Sequence, residues 1–150
     1  MKFLNISDIN LPTVTLGRDE LKEINYGATR VVFELQNGSK YDGKVIKFAR
    51  TKKDIQTNKK EIETWKTEKS RNPEYFCKIH EYDRSGKWII MDKSHTNVNS
   101  RQAHNFREKI RDEYDGIVPE GNMDLISANM GINATTGNIE LIDYSWGRIR

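Results

Sequence analysis

One cysteine, Cys77, stands among 150 residues, so an internal disulfide is excluded, and nothing resembles a zinc-binding Cys/His cluster because His80, His95 and His104 are scattered. Proline is equally scarce, with three residues: Pro12 bars its neighbourhood from the centre of a sheet, and Pro73 stops whatever helix precedes it. Long apolar runs are missing. Hydrophobic residues make up 35% of the chain, and no stretch approaches the roughly 20 apolar residues of a membrane span. The start, MKFLNISDINLP, lacks the apolar core of a signal peptide. A soluble chain in a reducing, cytoplasmic compartment is therefore expected. No repeat and no low-complexity segment is present.

Nor is there a large excess of one charge, the net value being +3. The distribution is less even: Lys40 to Arg71 is strongly basic and Asp112 to Asp143 mostly acidic. Opposed signs would suit a cleft holding a metal-bound polyphosphate, and a solvated helix face accounts for the basic run equally well. Nucleic acid is not the favoured partner, because few aromatic residues interleave with that run. At this length one domain with a real core is expected.

Periodicity then supplies the elements. Leu21 to Leu35 reads as two strands around a turn at Tyr26-Gly27-Ala28, with Asn37-Gly38 a further hairpin signal and Lys44 to Ala49 a third strand. Lys52 to Lys69 reads as a helix whose apolar stripe is Ile55, Ile62 and Trp65. Tyr75 to Tyr82 and Lys87 to Met91 are two more strands around the loop Asp83-Arg84-Ser85-Gly86. Ser100 is the expected N-cap of a helix to about Asp115, with Ala103, Phe106, Ile110 and Tyr114 on its buried face.

The chemistry concentrates in Asn122 to Asp143, NMDLISANMGINATTGNIELID. Met130 to Asn133 and Asn138 to Ile142 are short extended runs joined by Ala134-Thr135-Thr136-Gly137, where glycine supplies a positive φ. Such a hairpin returns the chain to its start and brings Asn129 close to Asp143. With Asp124 upstream, the order carboxylate, amide, hairpin, carboxylate is what a magnesium–phosphate site requires.

These residues resemble the protein-kinase-like superfamily. Asp124-Leu-Ile-Ser-Ala-Asn129 is similar to the D-x-x-x-x-N catalytic loop, and Ile142-Asp143-Tyr144-Ser145 stands where D-F-G would be. Val45-Ile46-Lys47 resembles V-A-I-K, and KEIETWK resembles the third helix of the family, with Glu61 as partner of Lys47 and Glu63 as competitor. The resemblance implies an α+β fold: a five-stranded antiparallel N-lobe sheet with one helix, and a truncated C-lobe of one main helix and a catalytic hairpin. It implies a single minimal domain over 1–150, with N-lobe and hinge at 1–94 and C-lobe at 95–150. ATP and Mg²⁺ are the implied cofactors. Asp124, Lys47 and Glu61 would be catalytic, and Asn129 and Asp143 would bind the metal. Gly27, Val32, Val45, Lys47, Met91, Asp92 and Ser94 would line the nucleotide, with Asp92-Lys93-Ser94 as the hinge. The likeness runs over roughly residues 20 to 147, closest to abbreviated bacterial effector kinases and the aminoglycoside-phosphotransferase branch.

The departures from the family pattern bear on activity. Asn25 and Arg30 occupy the outer positions of the G-x-G-x-x-G pattern, leaving only Gly27. Asn122-Met123 replaces His-Arg, Ile126 stands where a phosphate-contacting polar residue is usual, and Tyr144-Ser145 replaces Phe-Gly. The sequence continues only to Arg150, so the family's activation segment and peptide-binding helices are not expected after Asp143. Two functions follow from the resemblance: a minimal phosphotransferase acting on a protein hydroxyl, as an effector or phage-encoded protein modifying host proteins would, or a weak or inactive pseudokinase that binds or inhibits a protein partner.

Overall fold

The computed structural model of the protein describes residues 21–26, 30–35, 41–114 and 129–144. Over these the chain is α+β, with two helices and two antiparallel sheets. Strands β1 (Leu21–Tyr26), β2 (Arg30–Leu35), β3 (Val45–Ala49), β4 (Ile79–Tyr82) and β5 (Trp88–Met91) form a five-stranded sheet in the order β1-β2-β3-β5-β4. Helix α1 (Lys52–Glu68) follows β3. A second sheet holds β6 (Ser94–His95), β7 (Met130–Asn133) and β8 (Ile139–Leu141), and helix α2 (Ser100–Glu113) lies between β6 and β7 in sequence. This second sheet corrects the expectation of a bare hairpin, because Ser94 and His95 add a strand to it. The segment expected as one strand from Tyr75 is also split. Pro73–Tyr75 is a turn of 3-10 helix, and the strand begins only at Ile79.

The chain divides into two compact units, Met1–Lys59 with Ile79–Lys93, and Lys60–Lys78 with Ser94–Arg150. In the first, register decides which side chains share a face. Phe33 pairs with Ile46, Val31 with Phe48, Ile46 with Ile90 and Phe48 with Trp88. Leu35, Ile46, Phe48, Trp88 and Ile90 thus make one apolar core, with Phe33 and Tyr41 packed against it. Phe33 meets Phe48 edge-on at 5.8 Å between ring centres.

Helix α1 starts with Thr51 Oγ1 accepting from the Asp54 N–H at 3.1 Å, while the Asp54 carboxylate accepts from the Arg50 N–H at 2.8 Å. Its buried residues are Asp54, Asn58, Glu61, Ile62, Thr64, Trp65 and Glu68. The apolar stripe expected through Ile55 is therefore corrected: Ile55 is only half-buried, and the inward positions are largely polar. Asn58 shows why this is tolerated. It accepts from Arg30 Nη1 at 2.9 Å and donates to the Gly86 carbonyl at 2.8 Å. Gly86 has φ +84°, and a Cβ there would lie 2.9 Å from the Ile55 carbonyl oxygen, so only glycine lets this turn approach the helix so closely.

In the second unit α2 is capped by Asn99 rather than by Ser100, the expected cap, which is the first helical residue. Asn99 accepts from the Gln102 N–H at 2.8 Å, and the Gln102 side chain accepts from the Asn99 N–H at 3.1 Å. Ala103, Phe106, Ile110 and Tyr114 are buried as the spacing predicts. Tyr75 meets Phe106 and Tyr114 edge-on at 6.1 and 6.5 Å. The Tyr114 hydroxyl donates to the fully buried Glu68 carboxylate, and the Asn72 amide lies 3.0 Å from the same hydroxyl. Burial, reinforced by the bond to Glu68, holds the Tyr114 pKa well above the usual tyrosine range. Burial and the neighbouring Glu113 and Glu74 carboxylates raise Tyr75 as well. Elsewhere Phe76 packs edge-on against Tyr144 at 5.2 Å, and the Tyr144 hydroxyl donates to the Cys77 carbonyl at 2.7 Å.

Candidate functional site

Two groups of sequence-predicted residues can be placed, one in each unit. In the first, strand alternation puts Val45 and Lys47 on the same face of β3. Val32 pairs with Lys47 across β2, Ile89 with Lys47 and Met91 with Val45 across β5. Val32, Val45, Lys47 and Met91 therefore share the sheet face opposite the aromatic core. Val45 and Met91 are buried, Val32 is half-buried, and Lys47 is only 8% exposed. Lys47 is thus a buried charged residue among apolar strand neighbours, a position that requires a compensating partner.

Asp92 follows β5 directly and is a junction of charge. Lys44 Nζ lies 3.0 Å from its carboxylate, and His80 Nε2 lies 2.5 Å from the same oxygen. Next to it, Lys93 pairs with Glu34 at 2.9 Å. These contacts hold Asp92 and Lys93, which the resemblance places in a hinge. On α1, Glu61 is fully buried whereas Glu63 is exposed, so of the two competing carboxylates Glu61 is the one held away from solvent.

In the second unit the hairpin forms as the turn residues predict. Gly137 has φ +74°, and the Asn133 side chain accepts from the Thr135 and Thr136 N–H groups at 2.9 and 3.0 Å, closing the turn. At the other end the Ile142 N–H donates to the Asn129 carbonyl at 2.9 Å. Asn129 and Asp143 thus stand at one end of one hairpin. Among the described residues there is no group of three or more His, Cys, Asp or Glu able to hold a metal. An amide and a single carboxylate still suit Mg²⁺, which keeps several waters and takes one or two protein oxygens alongside phosphate.

Ser94 is placed differently from expectation. Instead of lying in an open hinge it sits in β6, opposite Asn133. Its hydroxyl donates to Glu140 at 2.5 Å, and Asn133 Nδ2 donates to both oxygens of the same carboxylate at 3.0 and 3.3 Å. Glu140 is 5% exposed, so these bonds compensate a buried anion. The approach depends on Gly131, where a Cβ would come within 2.7 Å of the Ser94 Cβ. Sequence reasoning missed Glu140, Asn133, His80, Asn58 and Arg30. Polar Asn138 and Glu140 alternating with apolar Ile139 and Leu141 carried the local sign that Glu140 shares a face apart from theirs. Asp124, Gly27 and Ile126 lie outside the described residues.

No protein-family model matches the chain, and no curated protein is significantly similar to it.

Proposed function

We propose that the chain is a minimal kinase-like phosphotransferase, moving the terminal phosphoryl group of ATP to a hydroxyl of a protein acceptor in the cytoplasm. The observation that supports this reading is the hairpin whose end joins the Asn129 carbonyl to the Ile142 N–H, next to Asp143, with Asp124 and Asn129 at D-x-x-x-x-N spacing in the sequence. The buried Lys47 on a face with Val32, Val45 and Met91 supports it, because a cation beside an apolar wall suits a phosphate next to an adenine.

The roles follow from side-chain chemistry. Val32, Val45 and Met91 would offer apolar surface to the base, and the resemblance assigns Gly27, Asp92 and Ser94 to nucleotide binding as well. Lys47 would neutralise the α- and β-phosphates as a point charge, with Glu61 the partner that the resemblance assigns to it. Asn129 and Asp143 would hold Mg²⁺, which when bound neutralises charge on the phosphate oxygens. Asp124 orients the acceptor hydroxyl and receives its proton. Catalysis in this scheme is positioning and charge neutralisation rather than covalent chemistry.

A second reading, a pseudokinase that binds a protein partner, is favoured by Ile126 in the catalytic loop and by the single glycine at Gly27. Loss of a phosphate contact at Ile126 would remove about 3 kcal/mol of transition-state stabilisation. Calorimetric titration of ATP with and without Mg²⁺ separates the readings. The phosphotransferase binds ATP in a Mg²⁺-dependent way that Asp143→Ala abolishes, and labels acceptor protein from labelled ATP in a way that Asp124→Ala abolishes while nucleotide binding persists. Nucleotide binding without labelling supports the pseudokinase, and no binding at millimolar ATP refutes the phosphotransferase.

A further inference from the structure

The second unit carries a groove of about 410 Å³ lined by Glu74, Tyr75, Asn105, Phe106, Lys109 and the 137–139 segment. It lies at the turn end of the β7–β8 hairpin, whereas Asn129 and Asp143 stand at the opposite end.

The groove coincides with a break in backbone pairing. Glu140 pairs with Gly131, Asn133 N–H donates to the Asn138 carbonyl and Ile142 N–H to the Asn129 carbonyl, so residues 138, 140 and 142 turn their main-chain groups toward β7. By alternation, Ile139 and Leu141 turn theirs to the outer edge. There the chain itself begins a parallel pairing: Phe76 bridges Leu141, and Cys77 N–H donates to the Leu141 carbonyl at 2.8 Å. One step further the partners of Ile139 would be the Tyr75 N–H and the Pro73 carbonyl. Both are spent within the 3-10 turn, where Tyr75 N–H donates to the Asn72 carbonyl and Phe76 N–H to the Pro73 carbonyl, each at 3.2 Å. The pairing stops at the residues that line the groove, and Ile139, whose N–H and C=O turn to that edge by alternation, is one of them.

We infer that this groove docks an extended polypeptide segment, which takes the place the chain vacates and pairs with the outer edge of β8. A peptide backbone offers a donor and an acceptor at ladder spacing, the pattern that Ile139 presents. Gln102, Asn105 and Asn138, each able to donate and accept, suit the remaining main-chain amides. Tyr75, Phe106 and Ile139 give apolar contact for one inward side chain. Glu74 and Lys109 place opposite charges on the lining, which disfavours a polyanion and suits a segment bearing both signs. This docking does not depend on phosphotransfer. A chain that binds no nucleotide can still bind peptide, so the two ideas fail separately.

The probe is a set of short, terminally blocked peptides recovered from a random display library against the full chain, measured by fluorescence anisotropy. Saturable one-to-one binding is expected. Scanning N-methylation along the peptide should weaken binding about tenfold at alternate amides and leave those between unaffected, as one lost hydrogen bond per ladder step requires. Ile139→Pro removes an N–H that no strand among the described residues uses and should give a similar loss, whereas Ile139→Ala keeps the N–H and should stay within about threefold. Lys109→Glu should shift the preferred charge of the peptide. Failure of every recovered peptide to bind overturns the proposal. So does an N-methylation profile without alternation, a measurement made on the unaltered chain that stands even where Ile139→Pro does not fold.

Discussion

Asn58→Ala removes the side chain that fastens α1 to its surroundings in the first unit, and the cost can be worked from two bonds. The bond to the Gly86 carbonyl, 2.8 Å, joins neutral groups and should contribute about 1 kcal/mol. The bond from Arg30 Nη1, 2.9 Å, involves a guanidinium on a residue only 4% exposed and should contribute about 2 kcal/mol. A loss of about 3 kcal/mol follows, to which the small cavity adds rather than subtracts. For a chain of this size that is a fall in Tm of roughly 6–12 °C. Urea denaturation followed by far-ultraviolet circular dichroism reads the free energy, and calorimetry the Tm. An Arg30→Met, Asn58→Ala double-mutant cycle should show coupling of about 1–2 kcal/mol, because each single change strips the same charged bond. A loss under about 0.5 kcal/mol for Asn58→Ala, or no coupling with Arg30, would refute the assignment of Asn58 as the polar anchor of this face.

Tyr114→Phe leaves the buried Glu68 carboxylate without its hydroxyl donor and should destabilise by about 2 kcal/mol in urea denaturation at neutral pH. Because the folded pKa of Tyr114 lies above the ordinary value, the unfolded chain loses its proton first as pH rises. That contribution is complete below about pH 10 and declines above it, so the Tm of the unaltered chain should fall from about pH 10 upward more steeply than that of Tyr114→Phe. Glu140→Ala strands Ser94 Oγ and Asn133 Nδ2 and should cost about 3 kcal/mol, while Glu140→Gln, which retains an acceptor, should cost about half as much in the same assay.

How much of this was legible depends on whether the governing partner is near in sequence. The α2 stripe from Ala103 to Tyr114 announces itself through apolar spacing, and the turn at Gly137 through its glycine. Asn129 and Asp143 come together for that local reason alone. The inward face of α1 was not legible. Asn58 is buried because Arg30 and Gly86, each 28 positions away, satisfy it, and no local pattern in a lysine-rich helix signals a polar interior. Strand β6 escaped notice because two residues make no periodicity. Its existence depends on Gly131, which lacks the Cβ that would collide with Ser94. The cap of α2 moved by one residue because both Asn99 and Ser100 have capping side chains, and only Asn99 can form the reciprocal bond with Gln102.

On the two proposals, strand β8 would serve both the nucleotide site and the peptide groove. Its even-numbered neighbours, Asn138, Glu140 and Ile142, face β7, where Glu140 ties in Ser94 and the Ile142 amide ties in Asn129. Its odd-numbered residues present Ile139 to the groove and Leu141 to Cys77. Alternation therefore separates the consequences of substitution by parity. Changes at Glu140 should loosen the hairpin end that bears Asn129 and Asp143, and so weaken Mg²⁺-dependent nucleotide binding. Ile139→Pro should weaken peptide docking and leave that binding intact. If Ile139→Ala disturbed nucleotide binding as strongly as Glu140→Ala, the two edges of β8 would not be separable, and the hairpin would have to be treated as one cooperative site.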